Sequence, residues 1–482
     1  MTALVFFTIA YLVVTIAIGL YAAKFVSNSK DYLVAGRGLP LYMNTATVFA
    51  TWFGAETVLS VSATFVKDGL GGIPADPFGA SFCLVFVALF FARAFYRMDL
   101  LTIGDFYKKR YGKGVEVLTS LAVTLSYLGW TSAQLTALGI VFNSLSQGAI
   151  SLNAGILIGA VIVLVYTTFG GMWSVALTDL FQSVIIVVGL VYVAVLVSGM
   201  AGGFEAVVSH AAQAGKFQFW PTGGSKEWWI FIAAWVTMAV GSIPQQDVFQ
   251  RVTSARDEKT AIRGSLLGAA SYFCFAFVPM FLAYSALMID PKMTQALLKQ
   301  EGREVQLILP NLILGHTPLF AQVMFFGALL SAILSTASGA LLAPTALFTE
   351  NVVKPLFGNM SDKRFLVLLR TVLVFFTAGV LVFALNNTST MYEMVQNAYK
   401  VTLVGAFVPL VCGIYWHRAS TQGALVSALT GLATWATCEA FLADALVPPQ
   451  LVGLAASAIG MVAGSLAPQL VRDARHGTHA TS

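Results

Sequence analysis

The sequence predicts an all-α integral membrane protein, on the basis of its hydropathy, its scarcity of charge and the length of its apolar runs. Of its 482 residues, 58% are hydrophobic and only 10% are charged, and the mean hydropathy is +0.81. A composition this apolar excludes an ordinary soluble domain. A membrane core about 30 Å thick requires roughly 20 apolar residues per helix, and runs of that length recur along the chain. They do not alternate polar and apolar residues as barrel strands would, so helices are the predicted spanning element.

We predict thirteen apolar segments, named here the first to the thirteenth span. In chain order they cover residues 4–24, 41–66, 77–97, 117–144, 152–170, 174–199, 228–248, 262–288, 318–348, 365–386, 394–416, 420–441 and 448–470. The first of them has neither a basic leader nor a small-residue cleavage site, so we expect it to be retained as a membrane helix.

The distribution of positive charge predicts the orientation of the chain. Most of the 27 Lys and Arg residues lie near the loops after the first, third, seventh, ninth and eleventh spans or in the C-terminal tail. The clearest group is Arg93, Arg97, Lys108, Lys109, Arg110 and Lys113. Because cytoplasmic loops are enriched in Lys and Arg, we expect the N-terminus outside and the C-terminus in the cytoplasm. The expected location is the plasma membrane, which in bacteria is the inner membrane.

Two spans contain helix breakers near their middle. The second span has Gly54 within ATWFGAETVL, and the seventh has Gly241 and Pro244 within AVGSIPQQDVFQ. If each span opens a five-span unit, the odd number of spans gives the two units opposite orientations. Paired interrupted helices in inverted halves indicate a midplane binding site in transporters. A packing kink in each span remains the alternative, since Gly and Pro are common in membrane helices.

Three stretches of the sequence resemble the sodium:solute symporter family, which includes proline, sialic acid, glucose and choline transporters. They are YTTFGGMWSVALTDLFQ at 166–182, GALLSAILSTASGALLAPTALFTENV at 327–352 and IGDFYKKRYG at 103–112. The resemblance implies a single transmembrane domain over residues 1–482, with a five-plus-five inverted-repeat (LeuT-like) core and a broken first helix in each repeat. It places an extra N-terminal helix at 4–24, the repeats at 41–199 and 228–416, and two peripheral helices at 420–470.

A sodium site is predicted between the second and ninth spans. Ala332, Ser335 and Thr336 share one face of the ninth span, and hydroxyl oxygens suit a hard cation. A Ser-Thr pair by itself also suits hydrogen bonding within its own helix or to a neighbouring helix. The resemblance implies that Ala332 offers a carbonyl and Ser335 and Thr336 their hydroxyls to sodium. It implies two further carbonyls, from Ala50 and Phe53.

Asp179 is the predicted ion-pathway carboxylate of the sixth span. A carboxylate in a membrane helix is costly unless it is paired or hydrated, although Asp also caps helix N-termini well. The resemblance implies a sodium pathway through Asp179. Some relatives build a second sodium site from this aspartate and two further serines, for which this chain has Ser338 and then Gly339. The glycine makes a stoichiometry of two sodium ions doubtful.

The predicted solute-binding residues lie near the two breaks. They are Trp52, Gly54, Glu56, Thr57, Trp130, Gln134, Gln245 and Gln246. Glu56 lies near midspan, where an unpaired charge is costly, so we expect it to be protonated, paired or lining water. It is expected to contact the solute or the ion, and a structural contact with a neighbouring helix is the alternative.

Locally the sequence is most similar to the choline transporter branch, which holds a quaternary ammonium in an aromatic cage. Trp52 and Trp130 match two cage positions, whereas Ala80 and Gln245 replace the other two aromatic residues. We therefore expect an amine-bearing solute, either a zwitterion or a cation: an amino acid, a betaine or a choline-like molecule. A monocarboxylate or a sugar is the alternative.

Other classes of function fit the sequence less well. The five histidines are scattered over loops and tail, so they assemble no enzyme centre. A transporter-like solute sensor is disfavoured because only VRDARHGTHATS follows the last span. A channel would require charged rings or filter loops, and none is evident. The expected partners are sodium, a small-molecule solute and membrane lipid, without nucleic acid. A monomer is expected to suffice for transport, and the sequence leaves the oligomeric state open.

Overall fold

The protein is a bundle of helices in the computed structural model, which describes residues 2–300, 302–358 and 360–471. Within these ranges the only β-type pairing is an isolated bridge between Leu39 and Ala255. The all-α fold class is thereby confirmed.

The predicted spans correspond to long helices of the structure. In chain order these are Thr2–Ala22, Leu41–Trp52 with Glu56–Asp68, Pro74–Arg97, Lys113–Leu145, Leu152–Met200, Ser225–Gly241 with Gln246–Thr253, Glu258–Ile289, Leu319–Leu356, Asp362–Asn386, Met391–Tyr415, Thr421–Phe441 and Pro449–Leu466. Shorter helices lie in the connections at Ser29–Val34, Ile103–Tyr111, Phe204–Gln213, Pro291–Leu298 and Ile308–His316.

The number of membrane crossings is partly supported by helix length and composition. Among the described residues, nine helices are long and apolar enough to cross a membrane, and the two bent pairs raise the number to 11. The other two predicted spans are the 33-residue helix Lys113–Leu145, which is more polar, and the shorter apolar stretch Leu152–Val165. The count of thirteen therefore stays a prediction.

Both predicted breaks are present. Leu41–Trp52 and Glu56–Asp68 meet at an angle of 54°, and Ser225–Gly241 and Gln246–Thr253 meet at 44°. Pro244 has no N–H to continue the first half of the seventh span, and the chain makes a short turn before Gln246. Each break leaves backbone N–H and C=O groups without their helical partners inside the membrane core, where they need other hydrogen-bond partners.

A third irregularity joins the fifth and sixth spans without a loop. The helix Leu152–Met200 runs through Gly171, which has a positive φ of 52°. A Cβ on this glycine would lie 2.4 Å from the carbonyl oxygen of Tyr32. Glycine is required there both for the conformation and for the close approach of the chain at Tyr32.

The broken second span lies in the interior of the bundle. Its first half packs against Leu152–Met200, Glu258–Ile289 and the ninth span, Leu319–Leu356. The ninth span is buried along most of its length, whereas the first, tenth and twelfth spans expose many large apolar side chains. Exposed apolar side chains on the outer helices suit a surface in contact with lipid.

Candidate functional site

The predicted sodium ligands meet where the ninth span crosses the first half of the second span. The Thr336 hydroxyl lies 3.3 Å from the carbonyl oxygen of Ala50 and 3.2 Å from that of Thr51. The Ser335 hydroxyl donates to Asp179 Oδ1 at 2.5 Å. Phe53, at the end of this half-helix, and Ala332, one turn before Thr336, are fully buried beside them. Carbonyl, hydroxyl and carboxylate oxygens are the ligands that a hard cation prefers.

Asp179 is fully buried and joins three helices. Its other oxygen, Oδ2, accepts a hydrogen bond from the hydroxyl of Thr47 on the second span. The positive charge of Arg251, from the second half of the seventh span, acts on the carboxylate. The Ser338 hydroxyl donates to the carbonyl of Ser335 at 2.9 Å and so bonds within its own helix.

Arg251 occupies the space that Gly339 leaves open. A Cβ on Gly339 would lie only 2.5 Å from Arg251 Nη2. Arg251 is buried, and its Nε donates to the Thr51 hydroxyl at 3.0 Å. Its two terminal nitrogens make no hydrogen bond to the described residues. A guanidinium therefore lies beside the position after Ser338, where this chain offers no hydroxyl.

Four of the predicted solute residues form one cluster at the break of the second span. The Glu56 carboxylate accepts hydrogen bonds from Trp130 Nε1 at 3.2 Å and from Gln134 Nε2 at 2.6 Å. The Gln134 carbonyl oxygen in turn accepts from the backbone N–H of Ala55 at 3.2 Å. The side chain of Glu56 folds back over Gly54, where a Cβ would lie 2.4 Å from its Oε2.

Thr57 connects this cluster to a second buried carboxylate. Its hydroxyl lies 3.2 Å from Asp76 Oδ2 and 3.1 Å from the Tyr272 hydroxyl, which also donates to Asp76 Oδ1. The ring of Trp52 packs edge-on against Tyr272, with centroids 6.5 Å apart. The ring of Trp130 similarly faces Tyr399 at 6.1 Å.

The two glutamines of the seventh span point elsewhere. Gln245 donates to the hydroxyls of Ser126 at 2.9 Å and Thr402 at 3.3 Å, and so bridges the fourth and eleventh spans. The Gln246 side chain accepts from the backbone N–H of Ile103 at 2.8 Å and holds the loop before Ile103–Tyr111. The structure does not bring Gln246 to the Glu56 cluster.

The sequence analysis missed three residues at this site. Asp76 lies among the helix-breaking prolines and glycine of IPADPFG, which drew attention away from it. An acidic residue at the start of an apolar run nevertheless indicates a functional carboxylate. Arg251 ends the VFQR stretch after the second break and carries the same kind of signal. Tyr272 looks like an ordinary aromatic residue of the eighth span, and only its position in three dimensions reveals its contact with Asp76.

Comparison with known proteins places this arrangement in a family. The family model described as "Sodium:solute symporter family" matches residues 32–431. The high-affinity choline transporter 1 of Caenorhabditis elegans is 27% identical over 452 residues, which cover 89% of this chain and 76% of that protein. The osmoregulated proline transporter OpuE of Bacillus subtilis is 26% identical over 445 residues, 88% of this chain and 86% of that protein.

A solved structure supports the same fold. A sodium-coupled sialic acid symporter in a substrate-bound outward-open state matches with a TM-score of 0.80 at 19% identity, over 97% of this chain and 98% of its own. At this identity the likeness concerns the fold, which is the LeuT-like five-plus-five arrangement with two broken helices. The chain is therefore a multi-pass membrane protein that belongs to the sodium:solute symporter family, a family of transporters that use sodium.

Proposed function

We propose that this chain takes up a small amine-bearing solute by sodium-coupled symport across the plasma membrane, by alternating access. The observation that carries the proposal is the contact of the ninth span with the broken second span. Thr336 reaches the carbonyl oxygen of Ala50 at 3.3 Å, and Ser335 bonds Asp179. An ion bound between these oxygens would link the two repeats beside the Glu56 cluster.

The proposed sodium ligands are carbonyl and hydroxyl oxygens. They are the carbonyls of Ala50, Phe53 and Ala332 and the hydroxyls of Ser335 and Thr336. Asp179 bonds Ser335 from the sixth span, so we assign it to the ion pathway rather than to the solute. The groups are buried and drawn from different helices, which suits a cation that orders them on binding.

One sodium ion per cycle is the stoichiometry we propose. Gly339 offers no hydroxyl, and the guanidinium of Arg251 lies 2.5 Å from the position of its missing Cβ. A fixed positive charge there opposes a second cation beside Asp179. One charge moved through 100 mV supplies about 2.3 kcal/mol, and a tenfold sodium gradient adds about 1.4 kcal/mol. Together they support an accumulation of roughly several hundredfold.

An amine suits the proposed solute site better than a monocarboxylate or a sugar. Glu56 places a buried carboxyl group in the cluster, within hydrogen-bonding distance of Trp130 and Gln134. When this group is ionised it repels a monocarboxylate and is left uncompensated by a neutral sugar, whereas an amine neutralises it. The rings of Trp52 and Trp130 add faces that attract a cationic nitrogen.

Uptake into proteoliposomes tests the function directly. Vesicles loaded with potassium and diluted into sodium are expected to accumulate labelled solute transiently above its external concentration. The coupled sodium gradient drives this overshoot and then dissipates. Equal uptake with potassium in place of external sodium would contradict sodium coupling.

A double substitution tests the sodium site. Ser335→Ala combined with Thr336→Val removes two of the five proposed ligands with little change of volume. We expect sodium-dependent thermal stabilisation and sodium-enhanced solute binding to disappear together, because the coupling between the two ligands is reciprocal. The protein should still insert and fold. Full sodium dependence in this variant would place the ion elsewhere.

A further inference from the structure

Four buried carboxylates surround the two breaks, and their charges are not equally compensated. They are Glu56, Asp76, Asp179 and Asp247. The positive charge of Arg251 acts on both Asp179 and Asp247. This single guanidinium therefore serves the two carboxylates that lie toward the sixth and seventh spans.

Glu56 and Asp76 have no such compensation. Their side chains are only 4% and 3% exposed, and within the described ranges neither forms an ion pair. Their partners are neutral donors: Trp130 and Gln134 for Glu56, with Thr57 and Tyr272 for Asp76. The charges of the two carboxylates also act on each other. When both groups are ionised, their two charges in a membrane interior are costly unless a cation joins them.

The N-terminus of Glu56–Asp68, which is the positive end of the helix dipole, is occupied by a side chain of the protein itself. A half-helix N-terminus is where a transporter holds an anionic group of its substrate. At the start of Glu56–Asp68, the carboxylate of Glu56 covers Gly54. The N–H of Ala55 bonds Gln134, and that of Gly54 bonds the carbonyl of Trp52.

The seventh span repeats this arrangement at its own break. The Asp247 carboxylate lies at the start of Gln246–Thr253, where the backbone N–H of Asp247 donates to the Tyr127 hydroxyl at 2.9 Å. The side chain of Asp247 also accepts a hydrogen bond from the Tyr127 hydroxyl. In both broken spans, a carboxylate of the chain occupies the place that a solute carboxylate would take.

We propose that the solute is an organic cation that carries N–H donors and no carboxylate, bound between Glu56 and Asp76. This inference rests on the sodium-coupled transport proposed above and narrows its solute from amines in general to cationic amines. An ammonium or amidinium group donates hydrogen bonds to the open lone pairs of both carboxylates. A betaine or an amino acid would bring a further carboxylate to a site that already holds two buried acidic side chains.

One hydroxyl beside Asp76 also lacks a partner. Tyr392 is 9% exposed, and its hydroxyl lies near the backbone of Ala75 and the side chain of Gln396 without a well-aligned hydrogen bond to either. The charge of Asp76 acts on it. Tyr392 also lines a cavity of about 870 Å³ that opens at the outer end of Glu56–Asp68. We therefore expect a solute to enter through this cavity and to pass Tyr392 before it reaches the carboxylate pair.

A thermal-shift panel on the purified full-length protein, in sodium and again in potassium, tests the solute class. The probes are ethanolamine and 1,4-diaminobutane as N–H cations, choline as a quaternary cation, and glycine betaine and L-proline as zwitterions. We expect sodium-dependent stabilisation by at least one N–H cation, a smaller effect of choline, and none from the zwitterions.

Neutral isosteres test the two carboxylates. Glu56→Gln and Asp76→Asn should each weaken binding of the stabilising amine by about 10- to 100-fold, because each removes a charge-assisted hydrogen bond. Glu116→Gln is the matched control, because Glu116 is equally buried but bonds Asn351 at 2.9 Å, away from the site. This control should bind the amine as the parent does.

The outcomes separate this inference from the proposed transport function. Sodium-dependent stabilisation by L-proline or glycine betaine with none by the amines would overturn the cationic solute and leave sodium coupling intact. Stabilisation by an amine to the same extent in potassium would overturn sodium coupling but support the solute class. Unchanged amine binding in both carboxylate variants, or no response to any amine, would also overturn the inference.

Discussion

Asp179 shows how one buried side chain connects ion binding to the positions of three helices. Its two oxygens accept hydrogen bonds from Ser335 on the ninth span and Thr47 on the second. The charge of Arg251 balances the carboxylate from the seventh span. An isolated carboxylate would be costly at this depth, and the two hydroxyls and the guanidinium offset part of that cost.

Replacing this charge by an isosteric amide tests its role. In Asp179→Asn we expect the sodium concentration for half-maximal uptake to rise by about 10- to 100-fold, because a charge-assisted interaction worth about 1.5–3 kcal/mol is lost. Solute binding at saturating sodium should change much less. The measurement is uptake over a sodium titration at fixed solute, with binding measured separately.

The opposite pattern would remove Asp179 from the ion pathway. If the variant lost solute affinity at saturating sodium while its sodium titration stayed unchanged, Asp179 would belong to the solute site. Glu116→Gln serves again as the comparison, since it removes a buried carboxylate that lies away from Ser335.

Successive turns of the ninth span make different contacts with neighbouring helices. Ser335 and Thr336 turn their hydroxyls to the sixth and second spans, and Gly339 makes room one turn later for Arg251. Gly327, three turns earlier, has open space instead, with the nearest atom 4.0 Å from its absent Cβ. A side chain therefore fits at Gly327 but not at Gly339 unless Arg251 moves.

Substitution by alanine separates the two glycines. Gly339→Ala should destabilise the protein by about 1–3 kcal/mol, because the new methyl group displaces a buried guanidinium. Gly327→Ala should be neutral or stabilising by up to about 1 kcal/mol, since alanine is the better helix former. Thermal unfolding in detergent, in sodium and in potassium, measures both. Equal stability of the two variants would show that Arg251 moves aside without cost.

The sequence predicted the helical elements better than the contacts between them. The breaks at Gly54 and Pro244 follow in part from local chemistry, because glycine weakens a helix and proline lacks the N–H that would continue it. Local chemistry alone is not sufficient, since Pro279 and Pro344 lie inside continuous helices. The pairing of Glu56 with Trp130 and Gln134 joins predicted residues, yet nothing local specified it. Gln246 lies beside Gln245 in the sequence, but the bend after Pro244 gives them different neighbours.

At the scale of the whole molecule, one face is closed and the opposite face is open. On the face predicted to be cytoplasmic, Gln246 bonds the backbone of Ile103, and Arg110 Nη2 donates to the carbonyl of Ala419 at 2.9 Å. On the same face Arg97 pairs with Glu258 at 2.7 Å. These contacts join the two repeats and their connections across this face.

The cavity of about 870 Å³ lies on the other face. It is lined by residues at the outer ends of the second, seventh and eleventh spans, among them Thr64, Lys226 and Asn397. With the orientation that the Lys and Arg distribution predicts, this arrangement is an outward-facing state. Alternating access then requires this cavity to close when sodium and solute are both bound.

Thiol labelling tests both the orientation and the closure. In a variant whose four native cysteines are replaced, Asn397→Cys should react with a membrane-impermeant reagent applied outside intact cells in sodium, because Asn397 is exposed in the outer cavity. Adding a transported solute should slow this labelling by about tenfold, which corresponds to a population shift of about 1.4 kcal/mol toward closed states. Lys363→Cys, exposed in the first turn of Asp362–Asn386, should react only after permeabilisation. If Asn397→Cys reacted only in permeabilised cells, the predicted orientation would be wrong. If its labelling rate did not change with sodium or solute, this cavity would take no part in the transport cycle.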